Sequence, residues 1–187
     1  MAIKSNTDPQ DKDCWRTPPE IFRALRCEFP FYLDVCASES NALTTRFITE
    51  EINCLSVSWS PYFPAHTARL YAWCNPPYSN PLPFIQKASQ ENIDNSIGVV
   101  MLLPADTSVK WFSEAAKTAS EVRFITNGRL QFLSAGTGKP VNGNTKGSML
   151  IIWHPWPRTH LQFSTVERDQ LMEFGRKRLE AKNGAAV

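Results

Sequence analysis

Long apolar runs are missing from this 187-residue chain, and so is any apolar core within its first residues, MAIKSNTDPQDKDCW. The first absence excludes membrane-spanning helices, and the second argues against a secretion signal. The five cysteines (Cys14, Cys27, Cys36, Cys54 and Cys74) form no Cys-x-x-Cys pair. The three histidines, His66, His154 and His160, stand apart from them. The odd count and the spacing argue for reduced thiols in a cytoplasm and against a metal site of the zinc type. No internal repeat or low-complexity linker divides the chain.

What is present suits one globular domain with a core of useful size. Apolar residues make up 42% and charged residues 20%, the ordinary balance of such domains. The net charge is +2, unevenly spread. Residues 1–100 carry 8 basic and 11 acidic side chains, and residues 101–187 carry 12 and 7, so the halves stand at −3 and +5. A mildly basic second half is compatible with a polyanion partner and equally with a solvated surface.

Strands and helices alternate along the chain. Thr17-Pro18-Pro19-Glu20 has the form of a capping box, with Thr17 as the cap and Ile21, Phe22, Leu25 and Phe29 following at helical spacing. Strands are expected at FYLDVCAS (31–38), RFITEE (46–51), RLYAWC (69–74), EVRFIT (121–126) and SMLIIW (148–153), and a fully buried one at SIGVVMLLP (96–104). Helices are expected after Ser79-Asn80-Pro81 and over 107–119. A second capping box, Ser164 to Glu167, predicts a basic C-terminal helix. GTGKPVNGNTKG (136–147) reads as a mobile loop. The alternation predicts an α/β fold with a largely parallel sheet, in which ligands gather beyond the carboxyl ends of the strands.

The stretch LYAWCNPPYSN (70–80) sits at such an end. An Asn side chain offers one carbonyl acceptor and one NH2 donor. Proline fixes its own φ, pushes the preceding residue into extended geometry and has no N–H. Asn75-Pro76-Pro77 therefore holds a side-chain carbonyl and a backbone carbonyl in a rigid arc. Two acceptors so placed grip both hydrogens of a planar exocyclic amine and draw its nitrogen toward sp3 geometry. That localises a lone pair otherwise delocalised into the ring. Tyr78 adds a flat face on which a base can stack, worth roughly 1–3 kcal/mol. These are the needs of an amino-methylating enzyme; a proline-rich strand end with Tyr78 in packing is the structural alternative.

In the order and spacing of seven blocks, the chain resembles the phage-type DNA N6-adenine methyltransferases, a Dam-like family. The blocks are DCWRTPPEIFRAL, FYLDVCASESNA, RFITEEINCLSVSW, YAWCNPPYSNPLPFIQKA, VVMLLPADTSVKWF, VRFITNGRLQF and SMLIIW, spanning about residues 13–153. The resemblance implies a Rossmann-like S-adenosylmethionine-dependent fold, mostly parallel, with helices on both faces. It implies transfer of a methyl group to adenine N6 in double-stranded DNA, with GATC as the suggested site and no metal. Asn75, Pro76, Pro77 and Tyr78 hold the flipped adenine in that reading, Asn75 also touching the cofactor. Thr17 and Pro18 lie near the methionine end of the cofactor, with Asp34, Cys36 and Ala37 from the first strand. Glu50, Glu51 and Asn53 grip ribose and adenosine.

The chain departs from the family pattern in three places. Asp34-Val35-Cys36-Ala37-Ser38 stands where most methyltransferases carry a glycine-rich turn. Asn53 replaces an Asp of more distant relatives, and Asp106 stands where Arg is expected. The same tetrapeptide also serves methylation of RNA amino groups and of protein glutamine, and a non-catalytic DNA-binding module is a third reading. Residues 13–160 are expected to form the methyltransferase domain, 161–187 a basic helix and tail, and 1–12 a flexible N-terminus. DNA would be read by residues 134–147 with parts of 55–68, and Arg129, Lys139 and Lys146 are the candidate contacts. The location expected is the cytoplasm, that of the host if the chain is phage-encoded.

Overall fold

The computed structural model describes residues 13–65, 69–141 and 144–184. The expected flexible N-terminus (1–12) and the end of the expected tail (185–187) lie outside these residues. Seven strands form one sheet: β1 (Phe31–Asp34), β2 (Arg46–Phe47), β3 (Tyr71–Cys74), β4 (Gly98–Pro104), β5 (Glu121–Thr126), β6 (Ser148–Trp153) and β7 (Gln162–Glu167). Their order is β2-β1-β3-β4-β6-β5-β7. β2, β1, β3 and β4 pair in parallel, as do β5 and β7, while β6 runs antiparallel to both its neighbours. The described helices are α1 (Pro19–Leu25), α2 (Leu82–Asn95), α3 (Lys110–Thr118) and α4 (Arg168–Gly184). None of them is long and apolar enough to cross a membrane.

The central strands are apolar throughout because both faces are covered. From β4, Val99, Met101 and Leu103 enter one core with Ile85 and Ala88 of α2 and Ala115 of α3. Val100 and Leu102 enter a second core with Ile21, Phe22 and Leu25 of α1 and Leu171 of α4. β6 divides in the same way, with Met149, Ile151 and Trp153 on one side and Leu150 and Ile152 on the other. Register slips in β1 between Phe31 and Leu33, so these two residues pack on opposite faces although they are two apart. On the second face α4 lies so close to α1 that a Cβ at Gly175 would stand 1.9 Å from the Glu20 carbonyl oxygen.

Three local expectations are corrected. Ser164 to Glu167 does not cap a helix: it is the end of β7, paired in parallel with β5, and α4 starts at Arg168. The spacing of a capping box was present, but cross-strand pairing of the β-branched Thr165 and Val166 outweighed it. Thr17 does not cap α1 either. Pro18 holds the cap position with no side-chain bond, and its carbonyl accepts from Ile21 N at 3.1 Å. The RFITEE strand shrinks to Arg46–Phe47.

Candidate active site

β1, β3 and β4 end on one edge of the sheet, Asp34 opposite Trp73 and Cys74 opposite Met101. Gly147, just before β6, accepts from Ala105 N at 2.8 Å, which brings the end of the glycine-rich loop to the same edge. A cavity of about 310 Å³ opens there. Thr17, Asp34, Cys36 and Asn75 line it, all four expected from sequence. So do Asp13, Trp15, Arg16, Ser40, Leu43 and Leu133, which were not.

Asp34 is 3% exposed. Its Oδ2 accepts from Leu43 N at 3.1 Å and its Oδ1 from Cys36 N at 3.4 Å. Burial pushes its pKa up to about 6 against the pull of these two backbone bonds. A buried carboxylate of this kind is a strong attractor for a cationic ligand group. Cys36 Sγ and Cys74 Sγ stand 3.6 Å apart. Burial pushes the Cys74 thiol up, so it is a packed, protonated sulfur and not a nucleophile.

Beyond β3 the chain turns through Asn75-Pro76-Pro77-Tyr78. The Asn75 amide is held from both ends: Nδ2 donates to the Trp15 carbonyl at 3.2 Å, and Oδ1 accepts from the Tyr78 hydroxyl at 3.1 Å. The half-buried Tyr78 packs edge-on against Phe132 at 5.9 Å, and Phe132 stacks on Trp15 at 5.7 Å. Ser79 N donates to Asp13 Oδ1 at 2.9 Å, closing the loop against the N-terminal segment. Burial keeps the Tyr78 phenol protonated. Among the described residues, three buried side-chain atoms have no hydrogen-bond partner, and all three belong to the cavity-lining segment: Trp15 Nε1, Arg16 Nε and Thr17 Oγ1. Thr17 is 5% and Trp15 8% exposed.

The sequence profile of the family described as DNA N-6-adenine-methyltransferase (Dam) matches residues 4–178 of the chain. This chain belongs to the Dam family. A protein of Haemophilus phage HP1 (strain HP1c1), named DNA N-6-adenine-methyltransferase, is 39% identical over 94% of this chain and 98% of its own length. One of Escherichia phage T1 with the same name is 37% identical over 79% of this chain and 65% of its own length. No solved structure matches.

In this Dam-family chain the other expected site residues lie outside the cavity lining. Pro18 holds the cap position of α1 behind Thr17, and Ala37 N donates to Ile48 O at 3.2 Å, tying the chain after β1 to that after β2. Glu50, Glu51 and Asn53 are exposed. The Thr49 hydroxyl holds the Glu51 carboxyl below its usual range. Asn53 has φ of 60°, which Asn tolerates, and its Oδ1 accepts from Leu55 N at 3.1 Å, a turn-forming role.

The expected DNA contacts are exposed as well. Arg129 offers its carbonyl to Arg168 Nη1 at 3.3 Å. Lys139 sits on a turn in which Ser134 N donates to its carbonyl. Lys146 is paired with Asp106 across the mouth of the loop. That ion pair and two bonds from Ser108 hold the Asp106 pKa down to about 2. Residues 142 and 143 of the loop and 66–68 of the second expected reading segment lie outside the described residues.

Proposed function

We propose that the chain transfers a methyl group from S-adenosylmethionine to N6 of an adenine in double-stranded DNA. The Asn75 amide carries the reading: with Nδ2 committed to Trp15, its carbonyl end is turned to the side where an amine can be held. Family membership and the two phage relatives support adenine as the base and DNA as the polymer. The sheet order, the single reversed strand and the helices on both faces support a Rossmann-like arrangement. The location in this reading is the cytoplasm, that of the host if the chain is phage-encoded.

The cavity fits the cofactor by its donor set. Trp15 Nε1, Arg16 Nε and Thr17 Oγ1 are unpaired and suit a carboxylate; Asp34 suits an ammonium. These are the two charged ends of an amino-acid moiety, for which the small Cys36 leaves room in place of a glycine. Bound there, S-adenosylmethionine supplies a methyl group already activated on a sulfonium. The chain then has to position and to exclude water. The adenine leaves the duplex at a cost of a few kcal/mol. Tyr78 stacks on it, Asn75 Oδ1 and the Pro76 carbonyl each accept one N6 hydrogen, and the nitrogen lone pair turns toward the methyl group. After transfer the extra N6 proton passes to water.

The test is tritium transfer from methyl-labelled S-adenosylmethionine, offered in parallel to duplex DNA with and without GATC, to RNA and to protein. Label in duplex DNA is expected. Label confined to RNA or to protein glutamine would move the function to those substrates, and cofactor binding without transfer to any of them would leave a binding module.

A further inference from the structure

We propose that residues 13–17 form a strap coupling the cavity to the catalytic loop, with Asp13 as its positioning residue. A ligand in the cavity fixes the strap, and the strap fixes the Asn75 amide. The inference rests on the methyl-transfer reading above.

Residues 14–17 belong to no helix or strand. On one side they hang on the Arg16–Leu133 bridge, with N···O distances of 2.9 and 3.0 Å, and on the Arg16 guanidinium, which reaches Ser40 O and Ser40 Oγ at 3.2 and 3.1 Å. The same residues line the cavity, and two of their buried side-chain atoms, Trp15 Nε1 and Thr17 Oγ1, have no hydrogen-bond partner. Such groups make the strap's position costly until a ligand with acceptors satisfies them. Toward the catalytic loop the same residues hold the first residue of the tetrapeptide and the residue just after it: the Trp15 carbonyl takes Asn75 Nδ2 at 3.2 Å, and Asp13 Oδ1 takes Ser79 N at 2.9 Å. The Trp15 ring adds the stack on Phe132 that supports Tyr78.

The two ends of an amide differ little in shape, so its hydrogen-bond partners decide which faces the substrate. Without the Trp15 carbonyl the Asn75 amide is free to turn, and its NH2 would then meet the NH2 of the base, donor against donor. The strap must therefore be seated for the base to be held. Filling the cavity raises the population of that arrangement, and by linkage a captured base strengthens ligand binding by the same factor. Asp13 touches the loop through a backbone N–H and acts on the reaction only through that loop.

The experiment uses the full chain as wild type, Asp13→Ala and Asp13→Asn. Hydrogen exchange at the Ser79 amide is followed with and without saturating S-adenosylhomocysteine, beside calorimetric Kd for that compound and kcat on adenine-unmethylated genomic DNA. In the wild type, S-adenosylhomocysteine should slow Ser79 exchange tenfold or more. Asp13→Ala should lose that slowing and at least tenfold in kcat at saturating cofactor, and by the same linkage its Kd for S-adenosylhomocysteine should rise, by up to about tenfold. Asp13→Asn keeps an Oδ1 acceptor and should restore both. Wild-type turnover in Asp13→Ala, or a loss that saturating cofactor fully restores, overturns the coupling. A wild type that binds and methylates without slowed Ser79 exchange overturns this inference alone. One that neither binds S-adenosylhomocysteine nor methylates DNA overturns the methyl-transfer reading with it.

Discussion

Asn75 donates its side-chain N–H to the main-chain carbonyl of Trp15, 60 residues earlier in the chain, at 3.2 Å. This one bond sets the orientation of the amide, and in the proposed methyl transfer it leaves the carbonyl end, not the NH2 end, for the substrate amine. The Tyr78 hydroxyl at 3.1 Å marks where that acceptor points. An acceptor with two lone pairs can keep Tyr78 and still take one hydrogen of an amine.

Asp34 gives a pH signature. Its pKa in the folded chain, about 6, lies above the ordinary 3.8, so the folded state holds the proton more tightly than the unfolded one. The ionised carboxylate therefore costs stability above pH 6, on the order of 3 kcal/mol, and the cost fades as pH falls toward 4. Asp34→Asn removes this titration but leaves one of the two backbone N–H groups without its acceptor, so the pH dependence and not the sign of the gap is diagnostic: the Tm of Asp34→Asn relative to wild type should rise by a few degrees between pH 5 and pH 8. Its affinity for S-adenosylmethionine should fall by roughly tenfold or more, as expected when a hydrogen bond to a charged group worth about 1.5–3 kcal/mol is lost. Wild-type affinity should weaken below pH 6 and that of the variant should stay flat. Calorimetry and thermal melting across pH 5–8 check both; a pH-independent gap in melting temperature would contradict the assignment.

The basic loop separates into two kinds of lysine. Lys139 is exposed, whereas Lys146 is paired with an Asp106 that stays ionised at every working pH. Each true phosphate contact contributes about 0.9 to the slope of log affinity against log salt. Lys139→Gln should reduce that slope by about one. Asp106→Asn frees Lys146, so it should tighten DNA binding and steepen the slope, with cofactor affinity unchanged. Fluorescence titrations of duplex DNA at several salt concentrations read this directly. Slopes unaltered in both variants would place the basic groove elsewhere.

Gly175 reports the contact between α1 and α4. Alanine is the better helix former by about 1 kcal/mol, so a surface glycine would gain from the change. Here the added Cβ meets Glu20 backbone atoms at 1.9, 2.6 and 2.9 Å. Gly175→Ala should destabilise by roughly 1–3 kcal/mol and lower Tm by several degrees. Melting at or above wild type would show that the helices part freely.

Much of this was legible in the sequence. The central strands announce themselves because both faces are buried, and Asn-Pro-Pro-Tyr because proline fixes backbone without context. Asp34 stood out as an acid in an apolar run. The contribution of Trp15 was hidden, since a main-chain carbonyl leaves no trace in residue type, and Asp13 lay in a polar segment with no pattern to distinguish its carboxylate from a solvated one. Thr17 read as a cap because its spacing fits, yet Pro18 holds the cap and the Thr17 hydroxyl is left buried without a partner. β7 was hidden in the same way: only pairing with β5 decides between a capping box and a strand end. Gly175 could not be read at all, because its meaning lies in the distance to another helix.

The central claim, that Asn75 holds the N6 amine of adenine for methyl transfer, is tested most directly by nucleoside mass spectrometry of duplex DNA treated with S-adenosylmethionine and either wild type or Asn75→Ala. Wild type should yield N6-methyldeoxyadenosine. Asn75→Ala should yield at most a hundredth as much while binding the cofactor within a few-fold of wild type, because the lost acceptor acts on the amine in the transition state. A tenth or more of wild-type product from the variant, or methylation on cytosine in place of adenine, would contradict the account.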